Sequence, residues 1–197
     1  WYALSYIVGL LFAWRYALYI SKVNYLLKEE VIDYFFNNAI LGVIIGGRLG
    51  YVIFYNFNYY SENLLEILFI WQGGMSFHGG IIGIILVSIW FSKKNNHNTF
   101  KYLDIVSIVA PIGIFFGRVA NFINGELIGK KTDVYWGVIF PKIDYLTRHP
   151  SQLYEAFLEG LLLFFILLFF QKKLVAKSPG FISGIFLIFY STFRFII

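Results

Sequence analysis

Six stretches of about 20 residues, each apolar at nearly every position, constrain this chain more than any other feature. They run roughly from Trp1 to Ile20, Asn37 to Tyr55, Met75 to Phe91, Leu103 to Asn124, Gln152 to Phe170 and Gly180 to Ile197. A helix of 20 residues rises about 30 Å, the thickness of the hydrocarbon core of a bilayer. Barrel strands would alternate with period two, whereas Gly160 to Phe170 is apolar on every side. The expected fold is therefore all-α: a polytopic membrane helical bundle with six spans, forming one transmembrane domain over 1–197, with the loop 125–151 outside the bilayer. Composition closes off the soluble alternative. The chain is 59% hydrophobic and 14% charged with a mean hydropathy of +0.69, whereas a soluble domain carries about 25% charged residues.

Basic residues set the expected orientation. Segments 21–36, 92–102 and 171–178 hold Lys22, Lys28, Lys93, Lys94, Lys101, Lys172, Lys173 and Lys177, which is eight; segments 56–74 and 125–151 hold only Lys130, Lys131, Lys142 and Arg148, which is four. Cytoplasmic loops carry the excess of Lys and Arg, so the loop 125–151 and the N-terminus are expected on the outer face. The net charge of +5 is thus a topology signal, and no nucleic-acid partner is expected. The first span lacks the basic flank and small-residue site of a removable signal peptide. A start at Trp1 and an end at Ile197 inside an apolar run read as a fragment.

The chain has no cysteine, which excludes disulfides, thiolate metal sites and a thiol nucleophile borne by the protein. No His, Cys or carboxylate set has metal-ligand spacing, so neither metal nor cofactor is expected. GxxxG spacing recurs at Gly42/Gly46/Gly50, Gly79/Gly83, Gly113/Gly117 and Gly180/Gly184. Small residues one turn apart let helix backbones approach in lipid, so a tightly packed bundle is expected.

Every Lys lies outside the windows, but Arg15, Arg48, Arg118 and Arg194 lie inside. A cation in hydrocarbon costs about 2.5–3.5 kcal/mol or more, so each guanidinium needs a reason. Arg15 is about a turn from the cytoplasmic end of its span and is expected to snorkel. Arg48, Arg118 and Arg194 fall in outward halves, as do Tyr2, His78 and Glu155. Two or three Arg facing Glu155 and Glu159 leave positive charge over, and a phosphate is the simplest complement. Simple pairing that pins helices together is the structural alternative. Asn121 shares a helix face with Arg118, and Glu126 follows in the loop. In Arg148-His-Pro-Ser-Gln-Leu-Tyr-Glu155, Pro150 blocks a helix and Ser151 is expected to cap the fifth span, leaving Arg148 and His149 at the mouth of the bundle.

These motifs carry a resemblance. Gly117-Arg-Val-Ala-Asn-Phe-Ile-Asn-Gly-Glu-Leu-Ile-Gly129 resembles the signature of the bacterial prolipoprotein diacylglyceryl transferases. Gly46-Gly-Arg-Leu-Gly-Tyr51, Gly73-Gly-Met-Ser-Phe-His-Gly-Gly80, the 148–155 stretch and Tyr190-Ser-Thr-Phe-Arg194 match that family in the same order. The resemblance implies transfer of the diacylglyceryl group of phosphatidylglycerol to the lipobox cysteine of a prolipoprotein, releasing glycerol phosphate at the outer face of the cytoplasmic (inner) membrane. It also implies seven helices in the full-length protein, with the seventh past Ile197, and a Glu shortly after the residue matching Arg194. The expected catalytic residues are His78, Arg118, Arg194, Glu126 and Tyr2. Arg118, Asn121, Gly129, Arg48, Arg194, Glu155 and Tyr190 are expected to hold phosphatidylglycerol.

The chemistry suits those residue types. A thiol with a pKa of about 8.5 must lose its proton, and a phosphate ester must leave with its charge stabilised. Arg118 and Arg194 would clamp the phosphate. His78 is the base on pKa grounds, with Glu126, Glu155 and Tyr2 as alternatives. A transporter for an anionic solute is the competing class, but it calls for paired halves with interrupted helices, and none is apparent.

Overall fold

The computed structural model describes residues 2–24, 27–174 and 178–197, with the side chains of Tyr2, Asn24, Lys172, Lys173 and Leu174 outside that description. The order is α1 (Tyr2–Asn24), α2 (Glu29–Tyr55), α3 (Phe57–Glu62), two short 3₁₀ turns (Leu64–Leu68 and Ile70–Gln72), α4 (Phe77–Asn95) and α5 (Thr99–Asn124). A hairpin of β1 (Val138–Ile139) and β2 (Thr147–Arg148) follows. After it come α6 (Ser151–Glu155), a π-helical turn (Ala156–Leu162), α7 (Leu163–Leu174) and α8 (Phe181–Ile196). The protein is an all-α, multi-pass membrane protein.

The six apolar windows map onto α1, α2, α4, α5, α6 to α7 and α8, and among the described residues four helical stretches are by themselves long and apolar enough to cross a bilayer: Ala3–Val23, Glu29–Tyr55, Thr99–Asn124 and Ser151–Gln171. The helices that carry the six windows differ in length. α8 has only 16 residues, a rise of about 24 Å, and α4 carries Lys93 and Lys94 in its last turn. α2 begins at Glu29 rather than near Asn37 because its first turn is acidic, which the helix dipole favours but an apolar window cannot register.

The chain divides into two compact units, Leu27–Leu103 and Trp1–Leu26 with Asp104–Ile197. In the first unit α2 lies directly on α4. A side chain on Gly46 or Gly79 would strike the other residue's carbonyl oxygen, and one on Gly83 would strike that of Gly42. Two of the four GxxxG motifs are therefore one interface, formed by backbones that touch only because both sides lack Cβ. Beside it Phe35 packs on Phe91 and on Tyr102, with ring centroids 5.6 and 4.8 Å apart. The other two motifs do not act this way: a Cβ on Gly113, Gly117 or Gly184 meets nothing within 4 Å.

In the second unit α1, α5 and α7 meet through Phe12 on Phe116 (6.0 Å), Tyr16 on Phe164 (5.3 Å) and a hydrogen bond from the Tyr16 hydroxyl to Gln171 Oε1 (2.9 Å). Gly160, in the π turn, lies on Phe115 of α5; a Cβ there would stand 2.8 Å from the Phe115 Cα. Ile105, Ile108, Ala120, Ala156, Leu163, Leu167 and Ile182 form the buried core.

Candidate functional site

The ionic cluster of the second unit is delivered by four elements. α5 carries Arg118, α6 and the π turn carry Glu155 and Glu159, and α8 carries Tyr190 and Arg194. Arg118 Nε lies 2.6 Å from Glu155 Oε2. Arg194 donates through Nη1 to Glu155 Oε1 at 3.0 Å and through Nη2 to Glu159 Oε2 at 2.8 Å. Glu155 thus bridges two guanidinium groups from different helices. Tyr190, one turn before Arg194, accepts a longer bond from Nη2 at 3.4 Å, and the guanidinium stands 5.8 Å from the centre of its ring.

Burial sharpens the geometry. Glu159 is fully buried, while the side chains of Arg118 and Arg194 remain 23% and 40% exposed. The terminal amino groups of Arg118 have no protein partner among the described residues. A guanidinium held at Nε with its Nη fork open is the shape that receives a phosphate bidentately. Glu155 and Glu159 come four residues apart, one immediately before the π turn and one within it. Such turns occur often at functional sites.

The loop after α5 closes one end of this unit. Glu126 donates its backbone N–H to the Asn121 carbonyl at 2.9 Å, and the Glu126 carbonyl accepts from Gln152 Nε2 at 2.5 Å. Asn121 and Gln152 are both buried, whereas the Glu126 side chain is exposed. Gly129 passes so close to the carbonyl of His149 that a Cβ would collide with it. Its own carbonyl accepts from Arg148 Nη1 at 3.2 Å. Arg148 also grips Asp144 at 2.5 Å, and that bond holds the Asp144 carboxyl below the usual carboxylate range. Tyr154 joins the strands to the helix: its hydroxyl accepts from Trp136 Nε1 at 2.6 Å and lies 3.2 Å from His149 Nδ1.

A family model for prolipoprotein diacylglyceryl transferases matches residues 1–197, the whole of this sequence. The chain belongs to that family. A relative from Rickettsia bellii, named phosphatidylglycerol–prolipoprotein diacylglyceryl transferase, is 52% identical over 199 residues, covering 100% of this chain and 76% of its own. Relatives of the same name from Rickettsia typhi (51% identical, covering 100% of this chain and 77% of its own) and Rhodospirillum rubrum (48%, covering 98% and 72%) are similar throughout.

In this diacylglyceryl transferase family member the remaining candidates fall elsewhere. Arg48 and His78 belong to the Leu27–Leu103 unit. Arg48 is buried and donates to five backbone carbonyls: Ile67 from Nε (2.9 Å), Gly73 and Gly74 from Nη1 (2.5 and 3.3 Å), and Glu66 and Phe69 from Nη2 (2.7 and 3.2 Å). Its five N–H groups are therefore committed, and the guanidinium lies 5.0 Å from the Tyr60 ring. Arg48, expected to hold lipid, in this structure gathers carbonyls of the 66–74 segment, of which those of Glu66 and Phe69 also accept backbone N–H bonds from Phe69 and Gln72.

A surplus of positive charge is expected at the cluster; among the described residues two Arg meet two Glu there. His78 lies exposed in the first turn of α4, edge-on to Phe77, and Ser76 caps that helix by accepting from the Gly79 N–H at 3.2 Å. Ser151 does not cap as expected. Pro150 occupies the cap position, and the Ser151 hydroxyl donates to the Leu127 carbonyl at 3.2 Å. The Tyr2 side chain lies outside the described residues. Arg15 is exposed on α1.

Sequence reasoning missed Gln152, which is fully buried and ties α6 to the loop. Its only signal was its place inside the 148–155 motif.

Proposed function

We propose that this chain transfers the diacylglyceryl group of phosphatidylglycerol to the thiol of a prolipoprotein's lipobox cysteine. The thiol loses its proton, and the sulfur attacks the glycerol carbon to form a thioether. The carbon–oxygen bond to phosphate breaks, and glycerol phosphate leaves with the electron pair. The observation that carries the reading is the Arg118–Glu155–Arg194–Glu159 cluster, in a chain similar throughout to transferases of that name. Arg118 receives the lipid phosphate through its open Nη fork, and Arg194 sustains the charge that develops on the leaving group. Glu155 holds both guanidinium groups in place. Asn121, Gly129 and Tyr190 shape the surroundings of the head group. Glu126 and His78, both exposed, are the proposed proton acceptors, each within its own unit. The test supplies the full-length protein with phosphatidylglycerol and a lipobox peptide. Glycerol phosphate should appear in proportion to the peptide modified, and release without peptide would instead identify a phospholipase.

The site is proposed to face outward in the cytoplasmic membrane, with the loop 125–151 on that side. The eight-to-four distribution of basic residues supports this orientation. Single cysteines placed at Asn58 and Asn95 of this cysteine-free chain are expected to separate in intact cells. Asn58→Cys should react with an impermeant thiol reagent and Asn95→Cys should not. The reverse labelling would turn the protein over.

A further inference from the structure

Asp104 is fully buried in α5, fourteen residues before Arg118, and takes no part in the ionic cluster. Its Oδ2 accepts from the Gly180 N–H at 2.8 Å. Its Oδ1 accepts from the Ser183 N–H at 2.8 Å and from the Ser183 hydroxyl at 2.7 Å. Gly180 stands at the cap position of α8 with φ of 94° and has no side chain with which to cap. The first N–H groups of a helix need acceptors, and the third helical position is where a capping side chain ordinarily bonds. Asp104 therefore supplies, from another helix, the cap that α8 cannot supply for itself.

The place of this contact gives it a second consequence. α5 and α8 also converge through Arg118 and Arg194, which share Glu155. Ser183 precedes Arg194 by eleven residues, about 16 Å along the axis. The same two helices are thus tied at one end by the Asp104 cap and joined at the other through Glu155. In a lipid environment the hydrophobic effect does little to hold one helix at a fixed register against another, so polar ties and close packing set it. We propose that Asp104 is a positioning residue for lipid transfer: its cap fixes the axial register and rotation of α8 against α5, so that Arg194 meets Glu155 and Glu159. The kinetic part of this inference rests on the transferase reading; the structural part does not.

Both parts are tested on the full-length protein. Asp104→Ala should lower kcat/KM for phosphatidylglycerol tenfold or more, whereas Asp104→Asn, which keeps one acceptor, should restore most of it. In an Arg194→Lys background the further loss from Asp104→Ala should shrink below threefold. Sites this far apart ordinarily act independently, so a multiplicative loss would mean that Asp104 supports the fold at large and would overturn the proposal. The second readout needs no activity. Nitroxide labels on cysteines at Ile123 and Ile188, exposed positions on α5 and α8, should report a shifted or broadened distance in Asp104→Ala and the original one in Asp104→Asn. An unchanged distance would also overturn the proposal. If Asp104→Ala does not accumulate, Ser183→Ala, which removes one of the three bonds, is read by the same measurements. A wild-type protein that fails to modify the peptide sinks the transferase reading and leaves the label distances to decide this one.

Discussion

Arg118→Lys is expected to lower kcat/KM for phosphatidylglycerol at least tenfold while the protein still inserts and accumulates. A tenfold loss corresponds to about 1.4 kcal/mol of transition-state stabilisation. The reason lies in how the guanidinium is divided. Its Nε is engaged by Glu155 at 2.6 Å, and the Nη groups have no protein partner among the described residues. Lysine offers one compact ammonium group, which satisfies Glu155 or a lipid phosphate but cannot present a planar fork to one while bonding the other. The positive charge survives and Glu155 keeps Arg194 at 3.0 Å, so the carboxylate stays paired. Activity and accumulation should therefore part company. If folded protein and activity disappear together, Arg118 is a pin between α5 and α6 and nothing more. Arg15→Lys, exposed on α1, should be close to silent in the same assay.

The split between what the sequence disclosed and what it withheld follows from where each partner lies. The close contact of α2 and α4 was legible because both surfaces repeat glycine at one-turn spacing. The same spacing misled at Gly113/Gly117 and at Gly184, where no neighbour comes within reach of a Cβ; a motif states that an approach is possible, and only the other helix decides whether it happens. Arg118, Arg194 and Glu155 were legible by type, since ionisable groups are costly in hydrocarbon. Arg48 looked the same by that criterion and behaves differently. Its partners are main-chain carbonyls of residues 66–74, and a carbonyl has no signature in a sequence. Asp104 escaped for a related reason, because the groups it satisfies are mostly backbone N–H groups 76 and 79 residues away. The strands at Val138–Ile139 and Thr147–Arg148 are two residues each, too short for any alternation to register.

A peptide in which serine replaces the lipobox cysteine is expected to be inert, and glycerol phosphate release is expected to vanish with it. Displacement at a saturated carbon needs a strong nucleophile. A thiol with a pKa of about 8.5 is ionised to a few per cent at neutral pH and is intrinsically reactive in that form. A serine hydroxyl needs a base poised to take its proton as it attacks. In the cluster each carboxylate lies against guanidinium groups: Glu155 against Arg118 and Arg194, and Glu159 against Arg194. The cluster suits charge held on a departing phosphate, and the proposed proton acceptors, Glu126 and His78, are too weakly basic to ionise an alkanol. Residues 1–197 hold no cysteine, so the thiol that attacks is the one the substrate brings. Three outcomes then separate the possible activities. A transferase releases glycerol phosphate with the cysteine peptide alone and in equal amount to the peptide modified. A phospholipase releases it with either peptide or with none, because water is its nucleophile. A transporter releases none under any of these conditions. Release that ignores the thiol would remove the transferase reading even if Arg118 and Arg194 proved to bind the lipid phosphate, because binding the leaving group is common to all three and only the dependence on sulfur belongs to one.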